Sequence, residues 1–406
     1  MNEKGKPYKT AGKIDYVAGW YFKAAQFIKS TKVRVAFVST NSLTQGEQVA
    51  NVWAPLYERF GIHIDFAHRT FRWDSEANIK AHVHCVIIGF SSSYQGQKFI
   101  YEENRAKAVK NINAYLLEAD NIFIESRNDA LCDVPTISKG FQATDNGYLI
   151  LDENERRELL EKEPDAAKWI RPYSMGVEFI RNIPRYCLWL VGISPKELQA
   201  LPMIRKRVSD CREWRCNATP TGDAYKLKDI PHLFRPCKQF KDVPFIAVPL
   251  VSSEQRRYIP MGFIENGMIP GNNLFSIFDA SLYHFGVLES NVHMAWMRAF
   301  GGRLEMRYRY SSGVVYNNFP WPTPTEEQKV MIEKTAKAIL DARALYSDCS
   351  LADLYDETLM PIELRRAHQA NDKAVMQAYG FWGKLNSETE CVAELMKMYQ
   401  ELTDKA

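Results

Sequence analysis

Between Met294 and Pro322 the chain reads MAWMRAFGGRLEMRYRYSSGVVYNNFPWP, a string in which cationic and aromatic residues alternate. Arg298, Arg303, Arg307 and Arg309 are interleaved with Trp296, Phe300, Tyr308 and Tyr310, and one acid, Glu305, stands two residues before Arg307. Gly301-Gly302 interrupts the preceding helical pattern, so the chain from Arg303 onward is expected to run extended or as a loop. Alternate side chains of an extended segment share a face. Arg303, Glu305, Arg307 and Arg309 would then project together, backed by Leu304, Met306, Tyr308 and Tyr310. An arginine fork fits guanine edges or phosphate oxygens, and a carboxylate accepts from the cytosine amino group. The same pattern also suits an amphipathic strand whose charged face is merely solvated.

The elements that must position this stretch belong to a chain of 406 residues, enough for two or three domains. It is 46% hydrophobic and 25% charged, so it can bury ordinary cores. A net charge of +3 means that any nucleic-acid surface is local. The eight cysteines (Cys85, Cys132, Cys187, Cys211, Cys216, Cys237, Cys349 and Cys391) form no CxxC pair, which argues against a zinc site or a disulfide framework. Reduced thiols in a cytoplasmic protein are the simplest account. The first residues, MNEKGKPYKT, are polar and give no signal peptide, and no apolar run approaches the ~18 residues of a membrane span.

In chain order, residues 14–29 carry Ile14, Val17, Trp20, Tyr21, Ala24, Ala25 and Ile28 at helical spacing. Residues 33–38 (VRVAFV) read as a buried strand, followed by a helix from Gln45 to Phe60 and strands at 61–66 and 81–90. That order suits half of an open α/β sheet, with Ser39, Thr40 and Asn41 at the carboxyl end of a parallel strand, where such sheets place ligands. Ser42 or Thr44 as a helix cap is the competing reading of that turn. His82 and His84 share a strand face, but two histidines without a third ligand suit a polar face better than a metal. Residues 104–121 suit an exposed connection. A helix is expected over 194–214, ending in Arg205, Lys206, Arg207, Arg212 and Arg215 as a solvated face or a phosphate contact. Strands at 245–251 and 258–263 would make a hairpin with Arg256 and Arg257 near its turn. Helices are expected at 325–346, 350–355, 361–378 and 387–403, with His368 as a packing residue.

Long strings resemble one family. Residues 12–25 (GKIDYVAGWYFKAA), 37–47 (FVSTNSLTQGE), 71–77 (FRWDSEA) and 82–90 (HVHCVIIGF) are similar to the C-terminal portion of the MmeI-like DNA methyltransferases, large restriction–modification polypeptides. So are 185–190 (RYCLWL), 258–263 (YIPMGF), 293–298 (HMAWMR), 316–322 (YNNFPWP) and 364–370 (LRRAHQA), which spreads the resemblance over nearly the whole chain.

The resemblance implies an α/β, partial Rossmann-like methyltransferase sheet over 1–125, a mixed α+β target recognition domain over 126–322 and an all-α C-terminal module over 323–406. It implies methyl transfer from S-adenosylmethionine to the amino group of adenine in duplex DNA, with the base extruded from the stack. The family's Gly-rich cofactor loop and Asn-Pro-Pro-aromatic turn are not in these residues, and the nearest string, NIPRY at 182–186, has the wrong spacing. The chain is therefore expected to begin just after the catalytic turn, to contribute no catalytic residue and to be inactive alone; the alternatives are a subunit of a split methyltransferase, active with a separate N-terminal methyltransferase half, and a remnant of a truncated gene. Its expected partner is double-stranded DNA. Glu305 and Arg307 would read a C·G pair, and Arg298, Arg303, Arg309, Arg256 and Arg257 would hold phosphates. Ser39 and Asn41 would line the edge of the extruded-base pocket.

Overall fold

The computed structural model describes residues 11–74, 82–103, 105–236, 240–265 and 267–405. Its first part is a mixed five-stranded sheet of β1 (Val35–Thr40), β2 (His63–Asp74), β3 (His82–Ser91), β4 (Lys98–Glu102) and β5 (Arg105–Val109), in the order β1-β3-β2-β4-β5. Both β1 and β2 are antiparallel to β3, so they run the same way. Helix α2 (Gly46–Phe60) connects them, and α1 (Ala18–Ile28) precedes them.

β1 differs from its expectation. It pairs only with an antiparallel neighbour and lies at the edge of the sheet. Its burial alternates: Ser39 is buried while Val38 is 51% exposed. The continuous apolar run suggested two covered faces, but only one is covered, by α1. Tyr21 of α1 packs edge-on against Phe37 at 5.1 Å and stacks on Phe90 at 5.4 Å. In α1 the buried residues Ala18, Tyr21, Ala25 and Ile28 make a narrower stripe than expected, and Trp20 is 53% exposed.

Residues 104–121 also depart from the expected open connection. Arg105–Val109 is a strand, and Ile112, Asn113, Ala114, Tyr115 and Leu116 are buried. Tyr115 meets Phe300 edge-on at 4.8 Å, which roots the first sheet in the middle of the molecule.

The middle part holds β6 (Ile137–Lys139), β7 (Ile150–Leu151), β8 (Ile170–Ser174), β9 (Tyr186–Leu188), β10 (Phe245–Pro249), β11 (Val251–Ser252), β12 (Gly262–Ile264), β13 (Ile269–Pro270), β14 (Leu274–Phe278), β15 (Gly302–Leu304) and β16 (Arg307–Arg309). They form three small sheets, β12-β10-β14-β6, β13-β8-β9-β7 and β11-β16-β15. β10 and β12 pair as the sequence suggests, but β11 leaves them to pair with β16, so 253–261 is a wide loop and not a hairpin turn. The helix expected over 194–214 is two helices, Pro195–Gln199 and Pro202–Cys216. Pro202 breaks the run because it has no N–H for the preceding turn.

Arg215, expected on a solvated face, is fully buried. Its guanidinium donates to the carbonyls of Ala143, Thr144, Leu227, Ile230 and Leu233 at 2.9–3.1 Å. It therefore ties the end of its helix to two connecting segments.

The C-terminal part is helical: Glu326–Ala344, Leu351–Leu354, Ile362–Ala378 and Glu388–Lys405. Ile332, Ala336, Ile339 and Ala342 form the buried stripe of the first, and Met331 and Leu345 are exposed. Between these helices and the middle part lies a buried polar network. Arg343 donates to Glu289 at 2.9 Å and to the Met261 carbonyl at 2.6 Å. His368 bonds Tyr355 at 2.7 Å and stacks on Tyr258 at 4.1 Å, as a packing residue would. Tyr258 donates to Asp372 at 2.6 Å. One continuous hydrophobic core spans all three parts.

Candidate nucleic-acid interface

The arginine- and tyrosine-rich stretch hangs from the helix Asn291–Phe300, which is buried along most of its length and capped by Ser290. The helix stops at Gly301, where a Cβ would lie 2.6 Å from the Met297 carbonyl oxygen. Beyond it the chain does not run as one extended row. β15 and β16 form a tight hairpin with Gly302↔Arg309, Arg303↔Tyr308 and Leu304↔Arg307 opposite each other. Glu305 sits in its turn at φ 59°. A two-residue connection with a positive φ matches the twist of paired strands.

Cross-strand partners share a face, so the hairpin sorts the arginines differently from a single strand. Arg307 and Arg309 lie together on one side and are exposed. Arg303 lies on the other side, its guanidinium 4.3 Å over the Tyr308 ring and its Nη2 donating to the Arg298 carbonyl at 3.2 Å. Burial pushes the Arg303 pKa down. At the tip, Arg307 Nη2 donates to Glu305 Oε2 at 2.8 Å, both groups in solvent. Tyr308 and Tyr310 are buried anchors, as expected. Tyr310 bonds His293 at 2.9 Å, and its backbone N–H donates to Leu250 at 2.8 Å. Leu304, expected behind the row, is instead 44% exposed.

The hairpin stands between two clefts. One, of about 610 Å³, is walled by Ser42, Gln45, Gly46 and Glu47 on the first sheet's side and by Lys139, Arg309, Ser311 and Ser312 on the other. The second, of about 530 Å³, is lined by Arg256, Arg257, Arg298 and Tyr308, with Ser387 and, at the start of the last helix, Glu388. There Arg298 forks onto Glu388 at 2.7 and 2.8 Å and also donates to the Arg257 carbonyl at 3.3 Å. Arg256 reaches Ser252 at 3.4 Å, and burial, with Arg181 nearby, lowers its pKa. Arg257 is exposed.

At the carboxyl end of β1, Ser39 is buried and its hydroxyl is engaged by Tyr21 at 2.8 Å. Asn41 is also buried, and its Nδ2 has no hydrogen-bond partner among the described residues. Neither Ser42 nor Thr44 caps α2. Asn41–Thr44 forms a 3-10 turn in which Thr44 donates back to the Asn41 carbonyl at 2.9 Å, and Gln45 takes the cap position without a side-chain bond. β2 and β3 run on past Thr40 as a two-stranded arm that carries Phe71 and Trp73, 6.2 Å apart.

Among the described residues there is no cluster of three metal-ligating side chains, and the seven cysteines they include are free. Cys237 and the His82 side chain lie outside those residues. Among the described residues no helix is long and apolar enough to cross a membrane. Lys139, Ser311 and Ser312 were missed in sequence reading, because nothing local marks them. They join the site only through the pairing of β6 with β14 and of β11 with β16.

Comparison with known proteins fits this geometry. Three family models match in succession: MmeI, DNA-methyltransferase domain over residues 2–102; MmeI, target recognition domain over 118–323; and MmeI, C-terminal domain over 324–406. DNA methyltransferase A of Bacillus subtilis (strain 168) is 37% identical over 398 residues, covering 98% of this chain and 45% of that protein. The solved structure of the type IIL restriction-modification enzyme MmeI in complex with DNA is 41% identical with a TM-score of 0.92, covering 98% of this chain and 53% of the other. The chain thus spans about half the length of the relatives it matches.

Proposed function

Since the chain belongs to the MmeI family of DNA methyltransferases, we propose that it supplies the sequence-reading part of an adenine-specific enzyme acting on duplex DNA. The observation that carries this reading is the β15–β16 hairpin. It presents Arg307 and Arg309 on one exposed side and Glu305 at its tip, held from behind by buried Tyr308 and Tyr310. A rigid two-stranded ribbon fits the major groove. The Glu305–Arg307 pair is the right chemistry for C·G: the carboxylate accepts from cytosine, and the fork donates to guanine. Both charges are in water when unbound, so trading one exposed ion pair for base contacts costs little.

Arg309 and Arg257 are the exposed cations we assign to phosphates, with Arg256 at shorter reach. Arg298 and Arg303 are held by protein partners and act in our reading as supports of the hairpin. At the other end, the unspent Nδ2 donor of Asn41 suits the edge of a pocket for an extruded base, whereas the Ser39 hydroxyl is already bonded.

The family implies S-adenosylmethionine as methyl donor. The residues described here do not fit it: the carboxyl end of β1 offers Ser39, Thr40, Asn41 and Ser42, with neither a glycine-rich turn nor a carboxylate for a ribose. We therefore derive no step through the cofactor and propose that methyl transfer needs a further segment or chain. The edge of β1 favours that account: among the described residues it pairs on one side only, and Val38 on it is exposed. A reading frame beside this one that encodes a Gly-rich loop and an Asn-Pro-Pro-aromatic turn would support a split enzyme, and a neighbouring frame without either would remove it.

Calorimetry with S-adenosylmethionine and with duplex DNA tests the proposal. Duplex binding without cofactor binding is expected. Cofactor binding by this chain alone would overturn the assignment of its strands.

A further inference from the structure

Helix Ile362–Ala378 has one buried face, and that face is partly polar: His368, Asn371 and Asp372 lie on it beside Leu364 and Val375. Burying a carboxylate is costly unless its oxygens are hydrogen-bonded. Asp372 is 5% exposed, and both of its oxygens are used. Oδ2 accepts from the Tyr258 hydroxyl at 2.6 Å, and Oδ1 accepts from the backbone N–H of Asn291 at 2.7 Å. His368, one turn before Asp372, stacks on the Tyr258 ring at 4.1 Å and so fixes where that hydroxyl points.

The two donors belong to different elements of the candidate interface. Tyr258 follows Arg256 and Arg257 in the loop 253–261, and the Arg257 guanidinium lies 5.8 Å over its ring. Asn291 opens the helix Asn291–Phe300, whose far end carries the β15–β16 hairpin. Its N–H is one of the first-turn donors that a helix leaves unpaired, and a carboxylate there suits the positive end of the helix dipole. At about 1.5 Å per residue this helix is about 15 Å long, so a small tilt at Asn291 reaches the hairpin as a displacement on the order of 1 Å. Base contacts need hydrogen-bond lengths held more closely than that. A second buried joint lies alongside: Glu289 accepts from the Met261 N–H at 2.6 Å and from Arg343 at 2.9 Å. It fastens the same two segments before the helix begins, whereas Asp372 bonds the helix itself.

We propose that Asp372 is a positioning residue for sequence reading: it joins the loop carrying Arg256 and Arg257 to the helix carrying the hairpin, so that phosphate contacts and base contacts keep one register. This rests on the hairpin reading and adds to it a part for the C-terminal helices. Asp372 touches no DNA in this account and acts through Tyr258 and Asn291.

Fluorescence anisotropy on the full chain tests it, with a duplex that the unaltered chain selects and the same duplex changed at the C·G pair assigned to Glu305 and Arg307. The unaltered chain should prefer the selected duplex by about tenfold. Asp372→Ala, measured below its unfolding temperature, should lose most of that preference. It should keep its affinity for an unrelated duplex, because electrostatic binding to phosphates tolerates looser geometry. Asp372→Asn should keep the preference: its Oδ1 still accepts from Asn291, and the Tyr258 hydroxyl can accept from its amide. Ile339→Ala, a core truncation in the same helical part, should lower stability and keep the preference. Equal loss in Asp372→Ala and Ile339→Ala would mean general loosening and would overturn the proposal. If folded Asp372→Ala keeps the preference while Arg307→Ala loses it, Asp372 positions nothing and the hairpin reading stands. If Asp372→Ala does not fold, Tyr258→Phe decides: a lost preference supports the joint, and an unchanged one overturns it. If the unaltered chain has no preference at that pair, the hairpin reading falls and the joint with it.

Discussion

Gly46, in the first turn of α2, faces Gly302, at the start of β15, across a gap that one methyl would fill: a Cβ built on Gly46 would lie 3.5 Å from the Gly302 Cα. This close approach brings the first sheet up to the β15–β16 hairpin without an intervening side chain. It sets how far the hairpin stands from the carboxyl end of β1. Gly46 is also at φ 54°, in the left-handed region that costs an L residue about 1–2 kcal/mol. Gly46→Ala should lower stability by that amount and speed amide exchange along residues 302–309. Unchanged exchange there would mean that the close approach does not support the hairpin.

Arg298 and Glu388 hold the hairpin from the other side, in a fork that is only a quarter exposed at the arginine. Arg298→Ala frees Glu388, which is half exposed and rehydrates, so the change should cost at most about 1 kcal/mol in denaturant unfolding. It should leave the salt slope of duplex binding unchanged. A flattened slope would show that Arg298 reaches a phosphate after all.

Arg215 is the inner brace of the β7–β9 region. Arg215→Met fills similar volume but leaves the Ala143, Thr144 and Leu233 carbonyls without a donor, while those of Leu227 and Ile230 keep a backbone N–H. The loss should be at least about 3 kcal/mol, since each buried unsatisfied group costs on the order of 1–3. A variant with unaltered unfolding would contradict the brace.

Acid should unfold the chain through its buried histidines. Burial lowers His284 to about 4 and His293 to about 3, and holds His368 well below its ordinary value. The unfolded chain binds protons at these sites from about pH 6.5 downward. Their contribution is therefore fully present above that pH and is lost as pH falls. Asp372 works the other way: burial raises it to about 6, so its contribution is present below its unfolded pKa and lost as pH rises toward 6. Glu289, which burial also raises, works in the same direction as Asp372; each excess proton in the unfolded state is worth about 1.4 kcal/mol per pH unit, and the three histidines outnumber these two carboxyls. Stability measured between pH 4.5 and 7 should rise with pH, and Asp372→Asn should steepen the rise. A flat or falling profile would contradict neutral buried histidines.

Sequence made the composition of the hairpin legible but not its geometry. Glycines at 301 and 302 ended the helix as expected, and Tyr308 and Tyr310 are anchors because aromatic rings at alternate positions demand a core. The turn at Glu305-Met306 carries none of the usual Asn-Gly signal, so a hairpin read as a single strand and Arg303 was placed on the wrong side. β1 was misjudged for a related reason: an apolar run reports hydrophobicity, not how many faces are covered. The helical C-terminal part was nearly complete in sequence because helix periodicity is local. The place of Lys139 on the cleft wall depends on a strand pairing more than 100 residues apart in sequence, which no local pattern reports.

The most direct test of the central claim is selection from a pool of randomised duplexes by the unaltered chain and by Arg307→Ala. The account predicts that the unaltered chain enriches one sequence and that Arg307→Ala still enriches it except at one C·G position, where discrimination falls by about 1–3 kcal/mol. Arg309→Ala should weaken capture of all sequences alike. If Arg307→Ala enriches the same full sequence as the unaltered chain, the hairpin tip does not read DNA and the assignment of Glu305 and Arg307 is wrong.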